Sequence, residues 1–253
     1  MPAQNAEGII LRKYYLRETS YILVVFTKEF GKIQAVLKGV RKPYPQFAGN
    51  FEPITRCSLL FYRKQRKQLD LITECSALDP FLAIRKDIEK LTYANYFIEL
   101  VNIATKDHDV NTQLYLVLAE CLKLMSKDAD TKGVKRIFEL KFLEALGLSP
   151  RVDQCIECGE TFSAENSFNV KSGGILCAKC SGARVNSPRV SMGTINFIRK
   201  VQSGSFEYGP RIGASGSVAE EVDSLLESFM KYHINYPVKS LKFIEELRRV
   251  GIA

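Results

Sequence analysis

The chain has 253 residues, with 36 Lys and Arg against 28 Asp and Glu, a formal net charge of +8. Its 46% hydrophobic and 25% charged composition is that of an ordinary folded chain, sized for one large domain or two to three small ones. No apolar stretch approaches the ~20 residues of a membrane helix, and the start, MPAQNAEGII, lacks the basic-then-apolar pattern of a secretory signal. A protein without a membrane role, in a reducing cytoplasmic setting, is therefore expected.

The first 80 residues read as strands. Residues 8–13, 20–27, 31–38, 54–62 and 68–75 are rich in β-branched and aromatic side chains, separated by turn residues. Thr27-Lys-Glu-Phe-Gly31 reads as a hairpin turn. Five short strands with a longer third connection predict an OB-fold barrel, with a small SH3-like barrel as the competing architecture. This segment also carries the basic excess: 13 Lys and Arg against 7 acids, a net of +6, while residues 81–150 balance at zero. Such a module predicts a polyanionic partner, of which nucleic acid is the commonest.

The cations fall at strand ends and turns. Arg12 and Arg17 flank the expected first turn. Lys38, Arg41 and Lys42 close the third strand. Arg63, Lys64, Arg66 and Lys67 fill the turn between strands four and five. The first and last of these are the loops with which OB-folds grip single strands. Alternation along the third strand places Lys32 and Lys38 on one face, extending a track for phosphates. Tyr14, Tyr15, Tyr44 and Tyr62 sit beside the basic loops, where they could stack bases or simply fill core.

Asp79-Pro80 marks a change to helix, with Asp as N-cap and Pro at the first helical position. Helical spacing continues from Phe81 to Val101, then over about 112–126 and 134–146, ending at Gly147. The third of these helices shows Lys135, Arg136 and Lys141 opposite its apolar stripe. That is an ordinary amphipathic face or a groove for an acidic, hydrophobic peptide tail.

Cys155-x-x-Cys158 and Cys177-x-x-Cys180 follow, within a segment spanning about 152–182. Two close thiolate pairs at this spacing fit one tetrahedral Zn²⁺ held structurally, with no open position for catalysis. A disulfide or a redox CxxC is the alternative. The redox reading is disfavoured because Cys177 follows Ser172-Gly173-Gly174 in what reads as a second knuckle, not at the start of a helix. Cys57, Cys75 and Cys121 stand alone in apolar patterns and read as core. Further helices are expected near 193–202, 218–234 and 241–250.

Enzyme signals are weak. GxxxxGK[ST], GxSxG and HExxH are absent, and the two histidines, His108 and His233, read as structural. Glu139-Leu-Lys141 is a fragment of a nuclease-like E-x-K without a preceding metal carboxylate. Three readings follow from the residues: a nucleic-acid-binding protein without catalysis, a zinc-stapled scaffold for protein partners, and a nuclease. No small-molecule substrate is expected.

In order and spacing, Glu7-Gly-Ile-Ile-Leu-Arg12, Glu18-Thr-Ser20, Phe30-Gly-Lys32, Lys38-Gly-Val-Arg-Lys42, Phe51-Glu-Pro53, Phe138-Glu-Leu140, the cysteine quartet and Lys239-Ser240 resemble the bacterial RecO family of recombination mediators. The resemblance covers nearly the whole chain. It implies an α+β architecture: an N-terminal five-stranded OB-fold over residues 1–79, then a helical domain over 80–253 with an inserted four-cysteine zinc module. It also implies binding of single- and double-stranded DNA, strand annealing, and recombinase loading with RecR and the single-strand binding protein SSB, near the nucleoid. Lys135, Arg136 and Lys141 are then the expected contact for the SSB C-terminal tail. Lys42-Pro-Tyr-Pro45 departs from the family's more continuously basic loop.

Overall fold

The computed structural model describes residues 2–39, 51–64, 69–127, 129–162, 165–182, 188–204 and 214–234, and then Val238, Ser240, Phe243, Ile244, Glu246 and Arg249. The expected helix over 241–250 thus lies mostly outside the described residues. The chain forms two compact units, Met1–Lys127 with Val238–Ala253, and Asp128–Pro237.

Strands β1 (Ala3–Leu16), β2 (Ser20–Thr27), β3 (Gly31–Leu37), β4 (Arg56–Tyr62) and β5 (Asp70–Asp79) close into a barrel in the order β1-β2-β3-β5-β4. β3 and β5 run parallel, and β1 pairs with both β2 and β4. This is the connectivity of an OB-like barrel, and it decides against the SH3-like alternative. The long β1 serves two partners because its register shifts between Ile10 and Arg12, a bulge that bends the strand. Ile10, Leu23, Val25, Ile33, Ala35, Leu37, Leu59, Phe61 and Ile72 fill the interior. Alternation of apolar and polar residues along each strand selects that face.

The β2–β3 turn is fixed by Thr27, whose Oγ1 accepts from Phe30 N (3.0 Å) and donates to Gly31 O (2.7 Å). Gly31 has φ +67°, and a Cβ there would lie 2.2 Å from the backbone oxygen of Asp109. Only glycine fits.

Asp79 does not cap a helix. Its Oδ1 accepts from Phe81 N (2.8 Å), and Phe81 itself, at φ +46°, precedes the single-turn α1 (Leu82–Arg85). The long helix α2 (Ile88–Ala104) starts later, where Asp87 accepts from Glu89 N and Lys90 N. Helix α3 (Thr112–Met125) is capped by Asn111. Arg85 ties α1 to the barrel by donating to Pro53 O and Thr55 Oγ1. Tyr115 of α3 donates to Glu7 Oε1 on β1 (2.7 Å), and its ring lies against Phe26.

In the second unit, α4 (Thr131–Ala145) packs with α6 (Met192–Ser203) and α7 (Gly216–Ile234). Between α4 and α6 lie β6 (Asn166–Asn169), β7 (Gly174–Leu176), the short α5 (Ala178–Ser181) and β8 (Arg189–Val190). The strands form a small sheet in the order β7-β6-β8. Phe168 of β6 meets Phe229 of α7 edge to face, and the His233 ring lies tilted against Phe229 while its Nε2 lies 2.9 Å from Val170 O.

Candidate nucleic-acid interface and cysteine cluster

Strand register brings residues from five separate sequence segments into one line. Tyr14 pairs with Ile22, Ile22 with Val36, Val36 with Leu71, and Leu71 with Tyr62. Directly opposed residues share a face. All five are partly or well exposed, while their neighbours Leu23, Leu37, Ile72 and Phe61 are buried inside. The outer surface of the barrel therefore carries an apolar belt with a tyrosine at each end. Its four interstrand steps of about 4.8 Å give roughly 19 Å along the surface.

Cations border this belt. Arg12 lies two residues before Tyr14, on the same face. Lys38 lies two residues after Val36, and Arg63 and Lys64 follow Tyr62; all four are exposed. Arg17, also exposed, sits in the β1–β2 turn at φ +54°. The turn leading to β5 is shaped by Asp70, whose Oδ1 accepts from Lys64 N (2.9 Å). Arg12 Nη1 donates to Tyr14 Oη (3.3 Å). Arg41, Lys42, Tyr44, Arg66 and Lys67 lie outside the described residues.

Tyr15 does not share the face of Tyr14. It opposes Tyr21 across the strand pair, and the rings meet edge to face at 5.5 Å. Lys13 Nζ lies 4.9 Å from the Tyr21 ring and pairs with Glu52. Tyr15 remains 70% exposed, so this second aromatic site at the mouth of the barrel is open to solvent. Sequence reasoning places Lys13 beside the first basic turn but misses Tyr21 and the contact between the two. The signal that could find them is the strand pairing of residues 13–15 with 21–23, which places them together.

Lys32 must be withdrawn from the phosphate track. It is buried, and its Nζ donates to Asn102 O (2.8 Å) and Thr105 O (2.6 Å), with Asp107 at 3.9 Å. The alternation holds, but the end of α2 covers this part of the face. Gln34 is likewise bonded to Asp107 Oδ2 (2.8 Å). Burial pushes the Lys32 amine below its ordinary pKa, with Asp107 opposing that shift and Arg12 adding to it. The orphan carbonyls of a helix C-terminus favour a cation there.

Lys135, Arg136 and Lys141 form no exposed basic face either. Lys135 and Arg136 are buried. Lys135 Nζ lies 3.1 Å from Glu139 and 3.2 Å from Asp223. Arg136 grips Asp223 through Nε (3.1 Å) and Nη2 (2.7 Å). Lys141 Nζ donates to Glu144 Oε2 and Gln202 O, both at 2.9 Å. Their outward placement follows from α4 alone, whereas α6 and α7 cover that side. The peptide-tail contact on these residues is therefore corrected. For Asp223, burial raises the carboxyl pKa, but the Arg136 bond and the two positive charges outweigh it, and the group stays below the usual range.

The four cysteines converge, with all Sγ atoms within 4.8 Å of one another. The first pair sits in a knuckle. Gly159 N donates to Cys155 O (2.9 Å), Cys155 N donates to Glu160 O (3.0 Å), and Gly159 takes φ +74° to reverse the chain. The second pair is not a mirror of it. Cys177 directly follows β7 and is the N-cap of α5, which carries Cys180 in its first turn. Position after a strand thus no longer argues against a redox pair; the convergence of four thiols does. They affect one another strongly. Burial pushes the Cys155 thiol up, yet N–H donors of Cys158, Cys177 and Glu157 pull it down to about 6. The hydrogen bond that the Cys180 thiol donates to Cys158, then burial, push Cys180 up to about 12. Neighbouring thiolates repel, so full ionisation of the set requires a compensating cation. The donor set suits a metal ion of thiolate preference. Cys57, Cys75 and Cys121 are buried apolar-site thiols apart from it.

The fold and site define an OB-barrel protein joined to helices that carry a cluster of four cysteines able to hold a metal ion. The family models "Recombination protein O N terminal" and "Recombination protein O C terminal" match residues 1–81 and 85–242. The chain is 31% identical to the DNA repair protein RecO of Syntrophus aciditrophicus, covering 98% of this chain and 97% of that one. It is 29% identical to the RecO of Desulfatibacillum aliphaticivorans over 98% and 99% of the two chains, and 28% identical to that of Alkaliphilus metalliredigens over 91% and 94%. The chain belongs to the recombination protein O family. Among the described residues, no helix is long and apolar enough to cross a membrane.

Proposed function

We propose that this protein acts in DNA repair as a recombination mediator without catalysis, binding DNA on the outer face of its barrel. The observation that carries the reading is the Tyr14–Ile22–Val36–Leu71–Tyr62 belt bordered by Arg12, Arg17, Lys38, Arg63 and Lys64. Bases would lie over the belt and stack on its tyrosines, and the cations would take the phosphates. Lowered phosphate repulsion would let two complementary strands meet, which is annealing; the same site would accept duplex DNA through its backbone. In the same reading the protein helps load recombinase onto SSB-coated DNA, together with RecR at the bacterial nucleoid. In this reading the cysteine quartet holds one structural Zn²⁺ that braces the second unit.

Arg63→Glu with Lys64→Glu tests the interface. The double variant should lose at least tenfold in affinity for a single-stranded oligonucleotide, with unchanged thermal stability. Undiminished binding would place the DNA elsewhere and favour a protein-docking role for the chain.

A further inference from the structure

A groove of about 320 Å³ opens beside the Tyr14 end of the belt. Its strand wall is Leu11, Arg12, Lys13 and Tyr14, and its helix wall is Asn95, Ile98 and Glu99 of α2. The volume lies at the small end of the ~300–1,000 Å³ typical of ligand sites, enough for one planar group and its sugar. Leu11 and Ile98 are buried and give the groove apolar faces; Tyr14 is 46% exposed and presents its ring beside them. Asn95 is exposed on the helix wall. Its Nδ2 donates to Leu91 O (2.8 Å), and its carbonyl oxygen accepts no hydrogen bond among the described residues. Arg12 makes no ion pair among the described residues.

We infer that this groove receives one base turned out of the bound single strand, with Tyr14 against its face, the Asn95 amide at its edge and Arg12 on the adjoining phosphate. The inference rests on the DNA-binding reading above, because Arg12 and Tyr14 belong to both. Three features favour a nucleotide over an acidic peptide. The cations sit on one wall only, as a phosphate outside and a base inside require. A carboxylate, Glu99, stands on the other wall, where it would repel peptide acids; its Oε2 is held by Ser240 N and Oγ (2.9 and 2.6 Å). An amide is the side chain that meets a base edge with both a donor and an acceptor. A base held outside the stack would fix the register of the strand on the barrel, at a modest unstacking cost in single-stranded DNA.

The test uses the full-length protein and single-stranded oligonucleotides in which 2-aminopurine is moved one position at a time. Wild type should show one position whose fluorescence changes far more than its neighbours on binding. Asn95→Trp, which fills the groove from an exposed helix position, should erase that position and weaken affinity about tenfold, while the dependence of affinity on salt stays the same. Asn95→Ala, too small to disturb folding, should weaken affinity about threefold. An identical fluorescence profile and affinity in both variants would overturn the inference while leaving DNA binding intact. Failure of wild type to bind any oligonucleotide would overturn the DNA-binding reading beneath it. Binding of an acidic hydrophobic peptide that Asn95→Trp abolishes, with the fluorescence profile unmoved, would make the groove a peptide site instead.

Discussion

Lys32 points outward from β3 as alternation demands, yet its amine ends on two carbonyls at the close of α2. What it does there is hold the helix to the barrel. Lys32→Met should cost about 2–3 kcal/mol of stability, the range for hydrogen bonds to a charged group plus newly stranded carbonyls, and leave DNA affinity unchanged once folded. A large loss of affinity at constant stability would return it to the phosphate track. Asp223 gives a pH prediction of definite sign. Its folded pKa lies below the unfolded value of about 3.9, so its contribution is present above that pH and disappears as pH falls through the lowered value. Asp223→Asn should destabilise the second unit by roughly 3 kcal/mol at neutral pH, and its melting temperature should fall less steeply between about pH 5 and 3 than that of wild type. Parallel curves would show that the carboxylate charge is not what holds Lys135 and Arg136.

Among the elements, the barrel strands and the helices of the second unit are well marked in the sequence, because period-two and period-3.6 patterns are local. Ile33, Ala35 and Leu37 read as core from β3 alone, and they are buried. Lys135 and Arg136 cannot be read correctly from α4 alone, since the aspartate that binds them lies 88 and 87 residues further on. The belt is hidden for the same reason: its members come from five strands, and only cross-strand register puts Tyr14 and Tyr62 in one line. Tyr62→Ala should therefore weaken single-strand binding by about 1–3 kcal/mol, the worth of one stacked base, as measured by titration against an oligonucleotide; no change would remove that tyrosine from the interface. The cysteine spacing is fully legible, but not the helix that Cys177 caps. Cys155→Ser should lose the bound zinc and lower the melting temperature, because metal binding to such a site is folding energy. Retention of both would refute the structural-zinc reading.

For the whole molecule, the basic belt and the cysteine quartet occupy different units. The cations that border the belt lie on the barrel within Met1–Lys127, while the cysteine quartet lies in Asp128–Pro237. A net of +6 over the first 80 residues predicts that binding is driven by counterion release from phosphates. The most direct measurement is the affinity of the intact protein for a short single strand as a function of salt. If Arg12, Arg17, Lys38, Arg63 and Lys64 each meet one phosphate, log affinity should fall with log salt at a slope of about −3.5, since each phosphate contributes about −0.7. A slope near zero would contradict the account, because an interface built on these cations cannot be indifferent to salt.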